Sequence, residues 1–501
     1  MLVSVALSAL IVTIDSSVLT VAIPTIMRDF DASLPSVQWV LAGYSLVVAS
    51  LLIIGGRLGD IFGHRTTFVG GALLFAAGSL LATVSWSVPT LFVGEALIEG
   101  IGASLMLPAT LAVISITFQG RDRAAAFAVW GAVIGFGVAI GPVLGGFLTS
   151  ELSWRWAFGI NLVVAPLSAL GVLLFLDREA PPARRPRLDF VGAVLAAVGL
   201  FLLVFGISEG HRYGWWAPLE GPSIAGLSVI PFAFVISVVM LVTFVVVERR
   251  RERADRDPLF EFAQLRHHSY RYGLLTTGTL AMGQVGQMFV LAYYLQDGRG
   301  LSALDAGLWL LPMGPGIIVG SRLGTSMTHR LGITATVRWG LLLQLVGLVM
   351  CAALVSPTIA FATMCTSIVL FGLGIGIASS QLTNVILCDI PDEKSGVASA
   401  TNNTVRQVGA ALGIAIVGTI LAVQGGGSLQ AVSDASSAAL WFTVLASVLG
   451  IACSFLVPYI APPPPLDDDA DPDHLGRTLA VLEAMEAVEP IEPSRDVVLG
   501  P

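Results

Sequence analysis

From residue 3 to residue 459 the chain is a series of apolar runs near 20 residues long, separated by short polar connections. Fourteen runs stand out: 3–24, 37–56, 66–85, 89–117, 124–149, 156–176, 188–208, 224–247, 271–295, 304–328, 333–355, 358–386, 397–423 and 437–459. A helix rises about 1.5 Å per residue, so each run can cross a hydrocarbon core of about 30 Å. The pattern predicts an all-α integral membrane protein of fourteen spans.

Basic residues alternate between the connections. One set carries twenty, among them Arg57, Arg65, Arg121, Arg123, Arg184, Arg185, Arg187, Arg249, Arg250, Arg251, Arg330, Lys394 and Arg406. The other set carries only Arg28, Arg155, Arg212 and Arg299. The positive-inside rule places the first set in the cytoplasm, and an even number of spans then puts both termini there. The first span has no basic n-region and no cleavage pattern behind it, so a removed signal peptide is not expected.

Composition agrees with this reading. The 501 residues are 55% hydrophobic and 12% charged, against about 25% charged in soluble domains. The net charge of −8 has one source, a tail of ten Asp and Glu against Arg477 and Arg495. That acidic tail, 461–501, begins Pro-rich and is expected to be disordered, with a short helix near Leu475–Met485. Cys351, Cys365, Cys388 and Cys453 have no CxxC spacing and fall in or beside apolar runs, as packing residues do. No metal site, cofactor or nucleic-acid partner is expected. The use of 25 Arg against one Lys fits a GC-rich bacterial genome, hence a multi-pass protein of a bacterial inner (plasma) membrane.

Two polar breaks organise the chain. Residues 177–187 form a charged, proline-rich linker, and 248–268 form a longer segment rich in arginine. They divide it into a six-helix bundle (1–176), a helix pair (188–247), a second six-helix bundle (269–460) and the tail. A weak repeat relates the bundles: Gly56–Arg65 and Thr325–Gly332 each follow the second span of their half, and Gly63 corresponds to Gly332.

Within the fifth span, Gly137, Gly141 and Gly145 recur every four residues, with Pro142 and Gly146 beside them. Such a stripe lets another helix approach to backbone contact, and the proline bends the helix. The spacing G-x3-G-P-x2-G-G resembles the fifth-helix antiporter motif of the major facilitator superfamily. Gly56, Asp60, Gly63 and Arg65 resemble its G-x-L-a-D-r-x-G-r-k loop, with His64 at the first basic position. The resemblance implies a cytoplasmic latch that breaks during transport, with Arg121 or Arg123 as partners for Asp60. Trp154-Arg155-Trp156-Ala157-Phe158 with Asn161 resembles the start of the sixth helix in the fourteen-helix drug:proton antiporters. Pro391–Ser399 and Asn402–Gly409, including Arg406 and Gln407, resemble the loop and thirteenth helix of that branch. Its layout is six, two, six.

Acids inside apolar spans carry the candidate chemistry. Asp15 lies near mid-membrane in the first span, where an ionised carboxylate costs roughly 2.5–3.5 kcal/mol. It either faces a watery cavity or carries a proton, and a group that gains and loses a proton is what a proton-coupled carrier requires. Asp15–Pro24 resembles the branch's D-x-T-x-V-N-V-A-L-P motif, with Thr20 for the asparagine. Glu95 and Glu99 lie one turn apart in the fourth span, on one face. Where the family motif reads R-x-x-Q-G-x-G, this chain has Ala96 and Glu99, so the arginine's coupling role must move. Asp15 with Glu99 is the expected coupling pair, Glu95 the third member; a fixed interhelical contact is the alternative for each. In the second half the resemblance points to Gln284, Gln287, Met288, Tyr293, Gln381 and Asn384 as cavity residues.

The expected function is proton-coupled efflux of lipophilic, cationic drugs or toxic small molecules by a monomeric carrier using alternating access. Two alternatives stay open: a proton-coupled exporter or symporter for one narrow substrate, and a membrane-embedded lipid-modifying enzyme. An anion importer would need basic residues in the cavity, and none is expected at mid-depth. The enzyme would need a His/Asp or Cys/His group near an interface, whereas His211, His267 and His268 sit in polar connections. No P-loop points to an ATP-driven pump.

Overall fold

The computed structural model describes residues 2–118, 120–176, 189–219, 223–224, 226–254, 259–391, 395–424 and 428–460. Its helices are α1 (Leu2–Asp29), α2 (Leu34–Phe62), α3 (His64–Thr83), α4 (Val88–Thr117), α5 (Gly120–Phe147), α6 (Trp156–Phe175) and α7 (Phe190–Tyr213). They continue as α8 (Val229–Arg253), α9 (His268–Gly298), α10 (Ala303–Leu331), α11 (Ile333–Leu354), α12 (Phe361–Leu387), α13 (Ser395–Gln424) and α14 (Leu429–Phe455). A small hairpin, β1 (Ser223–Ile224) with β2 (Leu227–Ser228), joins α7 to α8. Among the described residues thirteen helices are long and apolar enough to cross a membrane. The remaining one, α5, has a shorter apolar part, Phe136–Leu152, that runs on through a π turn. The linker 177–187 and the tail 461–501 lie outside the described residues.

Three boundaries differ from the apolar pattern, each for a local reason. Pro24 does not end α1, which continues to Asp29. The last helix begins at Leu429 because Ser428 caps it, its hydroxyl accepting from the Ala431 N–H. Helix α8 runs on to Arg253, where Arg250, Arg251 and Arg253 suit the negative end of the helix dipole.

Between lipid-facing helices no hydrophobic force favours association, so close approach must supply the attraction. Helices α10 and α12 meet along Gly316, Gly320 and Gly324 against Gly372 and Gly376, where any Cβ would overlap the opposite backbone. The internal repeat is visible in the turns that follow the second helix of each half. Gly63 has φ 88° and ψ 139°, and Gly332 has φ 84° and ψ 163°. Both lie where a side chain is strained, so glycine is required at the same point twice.

The halves α1–α6 and α9–α14 meet at the arginine-poor end, where α1 ends and α2 begins. The Gln38 amide donates to the Ile414 carbonyl at 2.8 Å, and Gln296 donates to Val21 at 2.8 Å. The Leu304 N–H donates to Ser150 Oγ at 3.0 Å. Around these bonds one apolar cluster runs through both halves, from Val18, Leu19 and Ala22 of α1 to Phe289 and Val290 of α9 and Ile414 of α13. Toward the arginine-rich end Phe136, Asn384 and Arg406 are exposed.

The central pair α7–α8 is docked on this seam. Trp39 of α2 donates its indole N–H to Glu209 of α7 at 2.8 Å, and its ring packs on Phe201 at 5.6 Å. From the other half, Thr419 of α13 donates to the Ile207 carbonyl at 3.1 Å. At the arginine-rich end Asp189 caps α7 and pairs with Arg251 of α8 at 3.1 Å.

Candidate functional site

Four helices of the first half converge on one buried cluster. Asp15 comes from the middle of α1, Ser79 from α3, Glu95 and Glu99 from α4, and Asn161 from the start of α6. One carboxyl oxygen from each of Asp15, Glu95 and Glu99 lies within 4.8 Å of the others. The Asn161 amide nitrogen donates to Asp15 Oδ1 at 2.8 Å, to Glu99 Oε1 at 2.9 Å and to Ser79 Oγ at 3.1 Å. All five side chains are at most 1% exposed. Asp15 therefore faces the interior of its own bundle in this conformation, and not an open cavity.

Local backbone builds this convergence. Residues Phe92–Glu99 of α4 form a π-helical segment, wider than an α-turn, which carries both glutamates. Gly78 and Gly94 let α3 and α4 touch backbone to backbone at the same level. Asn161 is held by the Trp154–Trp156 motif preceding it. The Trp154 indole and the Arg155 guanidinium both donate to Asp29 at 2.9 Å, while Arg155 also donates to the Ser85 carbonyl at 3.1 Å. The motif thus ties the end of α1 and the α3–α4 connection to the start of α6.

The cluster has more acceptors than donors. Both Glu95 oxygens, Asp15 Oδ2, Glu99 Oε2 and the neighbouring Tyr44 hydroxyl have no hydrogen-bond partner. Ionising every carboxyl would set like charges about 4 Å apart, costing about 4 kcal/mol per pair at an effective dielectric of about 20. The single amide offers only two N–H groups against them. A proton held on one or more of the three carboxyls would relieve this imbalance. Three carboxyl oxygens at this spacing also match the donor set of a small cation site.

The fifth-helix motif lies beside the cluster. Gly137 packs on Leu10 and Thr13 of α1, Gly141 on Ser17, and Gly145 on Val18, with its Cβ position 2.8 Å from the Val18 Cα. Gly146 faces the other half, with its Cβ position 2.8 Å from the Leu304 Cα, and Pro142 packs against Gly307. One stripe of α5 therefore touches the helix bearing Asp15, and the next residue touches α10 across the seam.

The remaining predicted residues divide. Asp60 lies 3.7 Å from His64, and Arg65 donates to the Leu173 carbonyl at 2.6 Å. Gly56 lies near Pro108 of α4. The side chains of Arg121 and Arg123 lie outside the described ones. Gln284 of α9 donates to Gln344 of α11 at 3.3 Å, and Met288 packs partly buried against the apolar cluster. Gln287 is a correction: it is 1% exposed and directed at Cys351 of α11, because its helical position faces the interior of the second bundle. Asn384 is exposed and donates to the buried Gln381 at 3.3 Å.

Arg406 is a second correction. By sequence it belongs with the loop arginines, and no basic residue was expected at mid-depth. In the structure it lies about 16 Å along α13 and is exposed, with Gln407 half-buried next to it. Asn161 is the residue that the sequence named only as a motif letter. An amide at the start of a helix reads as a cap, and nothing in the pattern showed that it would bridge two acids.

Comparison with known proteins follows the same lines. The Major Facilitator Superfamily model matches residues 5–414. The chain is 34% identical over 435 residues to a probable actinorhodin transporter of Streptomyces coelicolor, covering 85% of this chain and 73% of that one. It is 34% identical over 423 residues to the puromycin resistance protein pur8 of Streptomyces alboniger, covering 84% and 81%. In three dimensions it resembles the peptide transporter POT solved with sulfate, at a TM-score of 0.64 and 15% identity, covering 91% of this chain and 95% of that one.

Proposed function

Because the chain belongs to the major facilitator superfamily, a family of membrane transporters, we propose that it exports antibiotic-like small molecules in exchange for protons. It acts as a monomer in a bacterial inner membrane. The arginine-rich face is cytoplasmic, so the conformation described above is closed to the outside and open toward the cytoplasm.

The observation that carries this reading is the Asp15–Glu95–Glu99 cluster with Asn161 at its centre. A carrier that exchanges protons for substrate needs a site whose proton content changes between its two faces. It also needs that site linked to the seal between its halves. Asp15 stands next to the stretch of α1 on which the α5 glycine stripe rests, and α5 in turn presses on α10 through Gly146 and Pro142. A change of charge at Asp15 moves α1 relative to α5 and so reaches the outer seal. Two packings of the same helices then alternate, one with the cluster protonated and one with a proton released.

The test is accumulation of a lipophilic fluorescent dye in an efflux-deficient bacterium expressing the chain, with and without a protonophore. Lower accumulation that is lost with the protonophore and in Asp15→Asn and Glu99→Gln supports the reading. Export that survives in both variants, at equal membrane expression, rejects the cluster as the coupling site.

A further inference from the structure

Arg406 sits where a charged side chain needs a reason. It is about 16 Å into α13, and an arginine at such depth in a membrane protein ordinarily pairs with an acid or a carbonyl. Its guanidinium makes no hydrogen bond or ion pair with the described residues, and the three intramembrane acids of the first half are sealed inside their own bundle. Its direction follows from its neighbours on α13. Gly409 and Gly413 rest on α9, Ile414 and Gly418 meet Gln38 of α2, and Thr419 bonds to α7. At about 100° per residue, Arg406 projects about 60° from Gly409, about 80° from Ile414 and about 140° from Thr419. Gly413, which also rests on α9, lies only about 20° from it, so Arg406 points along the α9 side of α13, next to its edge with α2 and away from α7.

We propose that Arg406 receives an ionised acidic group of the transported molecule, so that the preferred substrates are lipophilic anions or zwitterions bearing a carboxylate or an acidic hydroxyl. The inference rests on the export reading above and replaces the expectation of a cationic cargo. A guanidinium presents N–H donors in a planar fork that matches a carboxylate, and the contact is strong where water is scarce. Its neighbour on α13, Gln407, is half-buried and uncharged. An acidic cargo leaves the proton cluster untouched, since the cation that binds the cargo and the carboxyls that bind the protons belong to different halves. Substrate and proton then communicate only through the movement of the halves.

The test is equilibrium binding to the purified full-length chain in lipid nanodiscs, read by fluorescence anisotropy. The probes are xanthene and anthraquinone dyes that carry a free carboxylate, each paired with its methyl ester. The free acids should bind at least tenfold more tightly than their esters. Arg406→Gln should remove that preference while leaving ester binding unchanged, and Arg406→Lys should restore part of it. Esters binding as well as the acids, a preference that survives Arg406→Gln, or a panel in which no acid binds ahead of its ester would each overturn the proposal. Because no proton gradient is present, a failure of proton coupling would leave these results unaffected, and proton-driven dye movement in vesicles detects that failure separately.

Discussion

Gly145 and Gly146 are adjacent in α5 but touch different halves, so the same substitution at each should act differently. A Cβ on Gly145 would lie 2.8 Å from the Val18 Cα, inside the first bundle. A Cβ on Gly146 would overlap the Ala303 carbonyl and lie 2.8 Å from the Leu304 Cα, across the outer seal. Overpacking of this kind costs about 1–3 kcal/mol. At Gly145 the cost is borne by a contact that persists in both conformations, so Gly145→Ala should lower thermal stability with little effect on the balance between them. At Gly146 it is borne only while the outer seal is closed, so the same cost should shift the conformational equilibrium roughly 5- to 150-fold toward the outward-open form. The reporter is Ala306→Cys in a background without the four native cysteines, since Ala306 is fully buried in the apolar cluster that joins the halves. A membrane-impermeant maleimide added to whole cells should label it faster in Gly146→Ala by that factor, and in Gly145→Ala at close to the parental rate. Equal labelling in all three, or faster labelling in Gly145→Ala alone, would refute the assignment of Gly146 to the seal.

Further outcomes are open to measurement. Asn161→Leu keeps most of the side-chain volume but removes the donor to Asp15 and Glu99, and should reduce proton-driven export at least tenfold while dye binding persists; retained export would show that the amide has no part in coupling. Gly63→Ala and Gly332→Ala each force a side chain into a backbone region that costs about 1–3 kcal/mol, so both should lower the melting temperature of the purified protein, and neither effect should be absent. Glu209→Leu removes the acceptor of the Trp39 indole, a contact of about 1.5–3 kcal/mol with a charged partner, and should destabilise the protein where Glu209→Gln does so less; identical melts would mean that α7 is not held there.

Much of the fold was legible because lipid imposes one simple pattern: runs near 20 residues, few charges, and basic residues on alternate connections. The acids were legible for the same reason, since Asp15, Glu95 and Glu99 interrupt apolar spans where each charge is costly. Their meeting point was not. It depends on the π-helical segment Phe92–Glu99 and on Asn161, neither of which leaves a periodic signal. Gln287 was misplaced because a polar residue in mid-span can face a cavity or a neighbouring helix, and only packing decides; here it meets Cys351. Arg406 was counted with the connection arginines although the run 397–423 contains it, because Thr401, Asn402, Asn403, Thr404 and Gln407 around it are polar. The docking of α7 on the seam was invisible as well, since its apolar residues surround the whole helix and do not identify the face that carries Phe201 and Glu209.

The central claim is that the cluster in the first half exchanges protons for substrate. Its most direct test is proton movement in proteoliposomes holding the purified chain and a trapped pH-sensitive dye, with a dye substrate added outside. Substrate-triggered proton flux in the parent, absent in Asp15→Asn and in Glu99→Gln although both still bind the substrate, is the predicted result. Flux of equal size in the parent and in both variants would contradict the account.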